Sequence, residues 1–164
     1  MLKLIGAAAI ILFTTGIGAM LARELRTRLK ELKGLLKIVR YIEAQIRYKA
    51  SDVASILKAM KADGVTKDFK LIEGCSAVSG KEISRYIAQH ASLTSLNAED
   101  IKVAQSFFAS LGKSDVAGET ENCRLHEKLL LSQIDDAGRQ ISSKTRLYYT
   151  LGLFSGLMVS IIII

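Results

Sequence analysis

The side chains that suggest metal chemistry are two cysteines and two histidines, Cys75, His90, Cys123 and His126. Four such ligands match the number that a structural zinc ion takes. The intervals between them, however, contain no C-x₂-C or H-x₃-H pair of the kind that zinc sites use. We therefore predict no metal site and two reduced, half-buried thiols in a cytosolic domain. Two cysteines are also too few for a disulfide scaffold.

A second candidate is Gly112-Lys113-Ser114, which looks like the end of a phosphate-binding loop. Such a loop needs a glycine five residues before Gly112, where Phe107 stands, and it must follow a buried strand. The residues before Gly112 have the pattern of a helix. We therefore predict a joint between two helices at this point, and no nucleotide cofactor.

General acid–base catalysis has no clear candidates either. His90 and His126 lack a recognisable arrangement with a nucleophile and an orienting carboxylate. The acidic pairs Glu99-Asp100 and Asp135-Asp136 are adjacent in sequence, and adjacent residues of a helix point to different faces. The sequence therefore predicts a protein that is not an enzyme, with no catalytic residues and no cofactor.

The charges that surround these residues are confined to the middle of the chain. The protein has 164 residues, 49% of them hydrophobic, and a formal net charge of +7. Apart from Lys3, every charged side chain lies between Arg23 and Arg146. This apolar content excludes a disordered chain. The order apolar, charged, apolar predicts a charged domain between two membrane segments.

The two uncharged segments are long enough to cross a bilayer as helices. At about 1.5 Å per residue, residues 4–22 span roughly 28 Å, and residues 147–164 span slightly less. We predict transmembrane helices at residues 1–22 and 147–164 and a helical domain at residues 23–146. A cleaved signal peptide is the alternative for the first segment, but its apolar region is normally shorter, and no good A-x-A site follows.

The basic residues that flank the two segments predict the orientation of the chain, because lysine and arginine beside a membrane helix are retained on the cytoplasmic side. The flanking residues are Arg23, Arg26, Arg28, Lys30, Lys144 and Arg146. The middle domain is therefore expected in the cytoplasm. Gly152 and Gly156 form a G-x-x-x-G pair, which either packs against the other membrane helix or occurs by chance.

Apolar residues at helical spacing predict an all-helical middle domain. Steps of three and four mark one face of a long first helix that runs to about residue 50. The members of this face are Leu25, Leu29, Leu32, Leu36, Val39, Ile42 and Ile46. No alternating run is long enough to predict a strand. We expect about six helices, of which two long ones continue the membrane helices.

Local signals place the boundaries of the other helices. The four shorter ones are expected at residues 51–63, 66–79, 81–91 and 98–111. Ser51 is the predicted cap of the first, and Gly80 is expected to break the chain before the third. Asn97 with Asp100 three residues later fits a capping arrangement for the fourth. Ser114 is expected to cap the last helix, whose predicted inward positions are Leu125, Leu129, Leu130, Ile134, Ala137 and Ile141.

The basic run at residues 23–49 is consistent with either nucleic acid or membrane as its partner. The basic residues nearest the uncharged segment are better explained by orientation and by anionic lipid headgroups, which contribute roughly 1 kcal/mol per charge. We therefore expect membrane lipid as a partner, no nucleic acid and no small-molecule substrate.

Several short motifs give the whole chain a resemblance to a known family. The most specific stretch is Leu111-Gly112-Lys113-Ser114-Asp115, followed by Arg124-Leu125, Leu147-Tyr148 and Leu151-Gly152. With these motifs the chain resembles the stage III sporulation protein AB family of endospore-forming Firmicutes. One position departs from the family pattern, which has glutamine four residues after the Ser-Asp pair, where this chain has Glu119.

The resemblance implies a non-enzymatic membrane component of the channel apparatus that connects mother cell and forespore. The family looks related to the inner-membrane platform proteins of type II secretion and type IV pili, so it implies docking of a sporulation ATPase, stage III sporulation protein AA, on the mother-cell side of the outer forespore membrane. The family-like polar residues expected to contact partners are Lys113, Asp115, Glu119 and Arg124. The alternative role for them is capping and pairing within the domain.

A different function stays open beside this one. The chain is also consistent with a membrane-tethered helical scaffold that binds another partner or associates with itself. In that case the apolar stripe from Leu25 to Ile46 is expected to form a coiled coil. A membrane enzyme would need a pocket with convergent polar groups, which the sequence does not indicate.

Overall fold

The computed structural model describes residues 2–49, 52–75 and 79–163, and in this part of the chain it is all-helical with no strand. The helices are α1 (Leu2–Lys49), α2 (Val53–Ala62), α3 (Lys70–Glu73), α4 (Gly80–Gln89), α5 (Ala98–Ser110) and α6 (Val116–Ile163). Two 3₁₀ helices lie at Val65–Asp68 and Ala91–Leu93. The predicted all-helical class and the number of helices are confirmed.

The chain divides into two compact units. Arg28–Asp135 forms one, and Met1–Thr27 with Asp136–Ile164 forms the other. We call them the central unit and the terminal unit. Among the described residues, no helix contains a stretch that qualifies as a membrane span by its length and apolar character. The transmembrane segments and the boundaries at residues 22 and 146 stay predictions.

The core of the central unit is built on the apolar face of α1. From Leu32 onward the predicted stripe is confirmed, since its members are buried, whereas Leu25 and Leu29 are only half-buried. Leu35 and Ile38 are fully buried as well, so the apolar face of α1 is wider than the stripe. A wide face is typical of a helix that packs against several neighbours.

Gly34 lies where α1 meets the first 3₁₀ helix. A Cβ atom on Gly34 would come within 2.7 Å of the backbone carbon and oxygen of Asp68. The two backbones therefore approach closely enough to exclude any larger residue, which explains a glycine inside a long helix.

A buried ion pair fixes the start of α5 against α1. The Arg28 guanidinium donates to the Asp100 carboxylate through Nε to Oδ2 at 2.7 Å and through Nη2 to Oδ1 at 3.1 Å. The side chains of Arg28 and Asp100 are 6% and 0% exposed. Asp100 also forms the predicted cap with Asn97, in which each side chain accepts the backbone N–H of the other. The cap is confirmed, and the ion pair adds a link that spans 72 residues.

Glu31 provides a second link from α1 to the segment before α5. Its Oε2 accepts hydrogen bonds from the Thr94 hydroxyl at 2.5 Å and from the Ser95 backbone N–H at 3.0 Å. Thr94 in turn accepts the backbone N–H of Leu96. The segment before α5 has no regular secondary structure, so its backbone N–H groups need partners outside a helix. The Glu31 carboxylate is one of these partners.

The prediction of a continuous helix over residues 66–79 is wrong. The 3₁₀ helix Val65–Asp68 is followed at once by the short α3, and Phe69 between them has a non-helical backbone with φ −123° and ψ 78°. The Phe69 side chain is completely buried, so a kink that directs it into the core replaces the regular helix. Residues 76–78 and the predicted cap Ser51 lie outside the described residues. Gly80 is the first residue of α4, where a chain break was expected.

The predicted inward face of α6 is partly wrong. Leu125 and Leu129 are 54% and 41% exposed, and the most deeply buried residues of the helix include Cys123, His126 and Leu130. The apolar character of the leucines suggested the wrong face because the true inner face of α6 includes polar residues, such as His126, whose Nε2 lies 3.0 Å from the Ser106 hydroxyl of α5. Leu130 and Ala137 are buried as predicted.

In the terminal unit, Gly152 packs directly on α1. A Cβ atom there would lie 2.8 Å from the Thr14 carbonyl oxygen, so the packing interpretation of Gly152 is confirmed. A Cβ atom added to Gly16, in the same unit, would have no atom within 4 Å. The two glycines therefore form a matched pair for testing this contact.

We expect Gly152→Ala to lower the thermal midpoint of the full chain in detergent micelles by about 5 °C, because overpacking outweighs the higher helix propensity of alanine. Gly16→Ala gains the propensity without a clash and is expected to leave the midpoint unchanged or raise it. Circular dichroism measures both. Equal midpoints for the two variants would show that the Gly152 contact does not stabilise the unit.

Candidate functional site

The candidate site is the joint between α5 and α6, which we define as residues 111–119. It begins at Leu111, which is largely buried and directly follows the last residue of α5, and Gly112 then turns the chain. Gly112 has φ +81°, in the left-handed region that favours glycine. The turn follows a helix, so the joint between two helices is confirmed and the structural context of a phosphate-binding loop is not present here.

Glu119 holds this turn together from inside α6. Its Oε1 accepts the backbone N–H groups of Gly112, Lys113 and Ser114, each at 3.0 Å. The Glu119 residue is only 5% exposed, although it carries a carboxylate. Three consecutive N–H groups that point at one anionic oxygen fix the backbone of the turn in a single conformation.

Asp115 caps α6. Its Oδ1 accepts the backbone N–H of Gly118 at 2.9 Å, and its negative charge lies at the positive end of the helix dipole. The prediction that Ser114 caps this helix is therefore wrong. Asp115, directly before the first helical residue, occupies the capping position, and the Ser114 N–H is held by Glu119.

The outer surface of the joint is exposed. Residues 112–117 are all exposed, including the Lys113 side chain and Val116, which is 51% exposed. This stretch presents a lysine, an aspartate and an apolar side chain within a few residues. The joint thus combines a fixed backbone with an accessible and chemically mixed surface.

Arg124 lies apart from this surface. It follows the start of α6 by more than two turns, and its guanidinium is 3.6 Å from Glu43 of α1 and 3.7 Å from Glu121. The structure therefore brings Lys113, Asp115 and Glu119 together at the joint and places Arg124 against α1. Its role as a partner contact stays a prediction.

Hydrogen bonds behind the joint fasten α6 to α5. The Asn122 amide donates to the Ser110 hydroxyl at 2.8 Å. The ring of His126 lies within hydrogen-bonding distance of the Asn122 carbonyl oxygen through Nδ1, at 2.9 Å, and of the Ser106 hydroxyl through Nε2, at 3.0 Å. No sequence pattern predicts these contacts, because they depend on which faces of two helices meet.

Cys123 follows Asn122 on α6 and is completely buried. Burial, with the nearby carboxylates of Glu43 and Glu119, raises the pKa of the Cys123 thiol to about 12. The reactive thiolate is therefore almost absent at neutral pH. Cys123 belongs to the packing of α6 and takes no part in surface chemistry.

We expect Glu119→Ala to lower the free energy of unfolding by about 2 kcal/mol, because three backbone donors lose their acceptor. Glu119→Gln keeps a side-chain oxygen at the same position and is expected to cost less than about 1 kcal/mol. Urea unfolding of the full chain in detergent measures both. If glutamine is as damaging as alanine, the charge of Glu119 and not the position of its oxygen stabilises the turn.

Comparison with known proteins places these motifs in a family. The family model described as stage III sporulation protein AB matches residues 3–164, nearly the entire chain. No curated protein and no solved structure matches the chain significantly. The glutamine expected in the family at position 119 is chemically compatible with the joint, since an amide oxygen also accepts N–H groups.

Proposed function

The chain belongs to the stage III sporulation protein AB family, and on that premise we propose that it is a non-enzymatic, two-pass membrane protein that docks a secretion-type ATPase at the α5–α6 joint. A role in sporulation follows from the family. The docking step is our inference from the joint. Its main support is the exposed turn at residues 112–114, whose backbone N–H groups are held by the buried Glu119 carboxylate.

A fixed turn is well suited to binding a protein partner. Ordering a loop on binding costs free energy, and a backbone that is already held by three hydrogen bonds avoids much of that cost. Lys113 and Asp115 offer charges of both signs for selecting a partner, and the exposed Val116 offers apolar contact.

The membrane part of the proposal rests on the sequence. Residues 4–22 and 147–164 carry no charge, and basic residues flank both segments on the side of the middle domain. By the bias of lysine and arginine toward the cytoplasm, we place that domain in the cytoplasm. The family resemblance implies that this is the mother-cell side of the outer forespore membrane. The absence of enzymatic activity is inferred from the spacing of the histidines and carboxylates.

The choice of partner comes from the likeness of the family to secretion platform proteins, whose helical cytoplasmic domains meet a hexameric ATPase. The corresponding sporulation ATPase is stage III sporulation protein AA. A rigid helical domain between membrane helices would transmit position or force from this motor to other channel components in the bilayer.

A binding assay with the full chain in detergent tests the docking step. We propose to immobilise the chain and to measure retention of purified stage III sporulation protein AA. Lys113→Glu reverses one exposed charge at the joint and is expected to abolish most of the retention. Lys102→Glu reverses a charge on α5 that is also exposed, and it is the matched control. Equal retention by both variants would exclude Lys113 from the interface.

The exposed pair Leu125 and Leu129 favours a second candidate function, a scaffold that associates with itself. These leucines are one helical turn apart on α6 and form an apolar patch. The stripe from Leu32 to Ile46 is buried inside the chain, so it is not available for a coiled coil. Sedimentation of the full chain in detergent tests this function. A dimer that Leu125→Ser with Leu129→Ser converts to a monomer would support it.

A further inference from the structure

A cleft lies in the terminal unit where the uncharged segment of α1 gives way to basic residues. Its volume is about 370 Å³, and its lining includes Ala19, Met20, Ala22, Arg23 and Arg26. This volume is within the range of about 300–1,000 Å³ that is typical of small-ligand sites. The lining divides into an apolar part and a part with two arginines.

Arg23 and Arg26 are exposed and lie three residues apart, on one face of the helix. Within the part of the chain that the structure describes, neither guanidinium forms a hydrogen bond or ion pair. Other arginines do have carboxylate partners there, for example Arg40 with Glu127. Glu24 is next to Arg23 in sequence, but helical geometry directs it to a different face. Two guanidinium groups without an anion thus line the same cleft.

The other lining residues that the structure describes, Ala19, Met20 and Ala22, are apolar. Ala19 and Met20 lie toward the uncharged segment, and Met20 is 70% exposed. From there back to residue 4 the sequence contains no charge. A ligand that satisfies the entire cleft therefore carries an anionic group at one end and hydrocarbon at the other.

We infer that this cleft binds the phosphodiester of an anionic phospholipid. The guanidinium groups of Arg23 and Arg26 donate hydrogen bonds to the phosphate oxygens, a pairing that the planar fork of arginine favours. An acyl chain lies along Met20 and Ala19. Free phosphate would satisfy the two arginines only. The inference rests on the proposed membrane location of residues 4–22 and deepens it by naming a specific lipid site.

Native mass spectrometry of the full chain in detergent tests the inference, with phosphatidylglycerol and phosphatidylcholine as the two probes. We expect the wild-type chain to retain phosphatidylglycerol in preference to phosphatidylcholine. Arg23→Gln with Arg26→Gln is expected to weaken phosphatidylglycerol binding roughly tenfold or more, since each basic residue near the headgroup contributes about 1 kcal/mol.

The control is Lys144→Gln with Arg146→Gln, which removes the same number of exposed charges from α6. It is expected to keep phosphatidylglycerol binding. If both double variants lose the same amount of phosphatidylglycerol binding, the attraction is diffuse and the proposed site is overturned. Normal phosphatidylglycerol binding by the Arg23 and Arg26 variant would overturn it as well. Inorganic phosphate at the concentration of the lipid is expected to displace none of it, and displacement would identify free phosphate as the ligand and overturn the lipid assignment.

Recovery of the chain from cells separates this inference from the proposed function. A wild-type chain that is absent from the membrane fraction would contradict the membrane location itself. A chain that is recovered with the membrane but shows no preference for phosphatidylglycerol would overturn the lipid site alone.

Discussion

Arg28→Ala is expected to lower the free energy of unfolding by about 3–5 kcal/mol, because removing one partner of a buried ion pair leaves the other charge without compensation. Asp100 is completely buried and is held by two hydrogen bonds from the Arg28 guanidinium, at 2.7 and 3.1 Å. The same carboxylate caps α5, so its loss of charge balance disturbs the start of that helix as well.

Arg40→Ala is the matched control for this effect. Its guanidinium approaches Glu127 as closely as 2.7 Å, but the Arg40 side chain is 56% exposed. Solvent screens such a pair, so we expect a cost of about 0–1 kcal/mol. Urea unfolding of the full chain in detergent compares the two variants. If both cost the same, burial of the Arg28 pair does not contribute to stability.

A double variant separates the charge from the shape of this site. Arg28→Met with Asp100→Asn removes both charges and leaves an amide oxygen for the cap. Because the uncompensated carboxylate is gone, this variant is expected to be more stable than Arg28→Ala alone. If the double variant is less stable than Arg28→Ala, the loss of stability in Arg28→Ala comes mainly from the lost ion pair and not from the unpaired charge of Asp100.

Gly80→Ala is expected to destabilise the central unit by about 1–3 kcal/mol, because it inserts a methyl group where no space exists. The added Cβ would lie 2.3 Å from the Phe108 carbonyl oxygen and 3.1 Å from the Leu111 Cβ. The first distance, to a backbone oxygen, is too short for contact and the second is tighter than usual, so α4 and α5 must move apart. α5 leads directly into the joint, and the displacement is therefore expected to reach Gly112.

Gly138→Ala provides the comparison, since no atom lies within 4 Å of a Cβ at that position. Alanine is favoured over glycine in a helix by about 0.5–1 kcal/mol, so this variant is expected to be neutral or slightly stabilised. Thermal unfolding of the full chain measures both substitutions. A Gly80→Ala midpoint at or above that of the wild type would contradict the close approach of α4 to α5.

Periodicity predicted those parts of the fold that depend on local pattern. The apolar face of α1 and the cap of α5 by Asn97 and Asp100 are both local signals, and the structure confirms them. The pairing of Arg28 with Asp100 joins residues far apart in the sequence. No spacing rule indicates such a contact, and from the sequence Arg28 is expected to contribute to orientation in the membrane and to contact with lipid headgroups.

At the joint, the structure brings together three of the four predicted residues and shows contacts within the domain for two of them. Asp115 and Glu119 were predicted to contact a partner or to cap and pair within the domain, and both make hydrogen bonds within the joint. The reach of Glu119 back to three backbone groups depends on the positive φ of Gly112, which a sequence pattern does not specify. Apolar periodicity misses the part of the inner face of α6 that His126 and Glu119 form, because these residues are polar.

The most direct test of docking at the joint is site-specific photo-crosslinking in sporulating cells. A photoreactive residue replaces Lys113 in one strain and Lys102, also exposed but on α5, in another. We expect stage III sporulation protein AA to be crosslinked from position 113 and not from position 102. Crosslinks from both positions alike, or from 102 alone, would contradict docking through the α5–α6 joint.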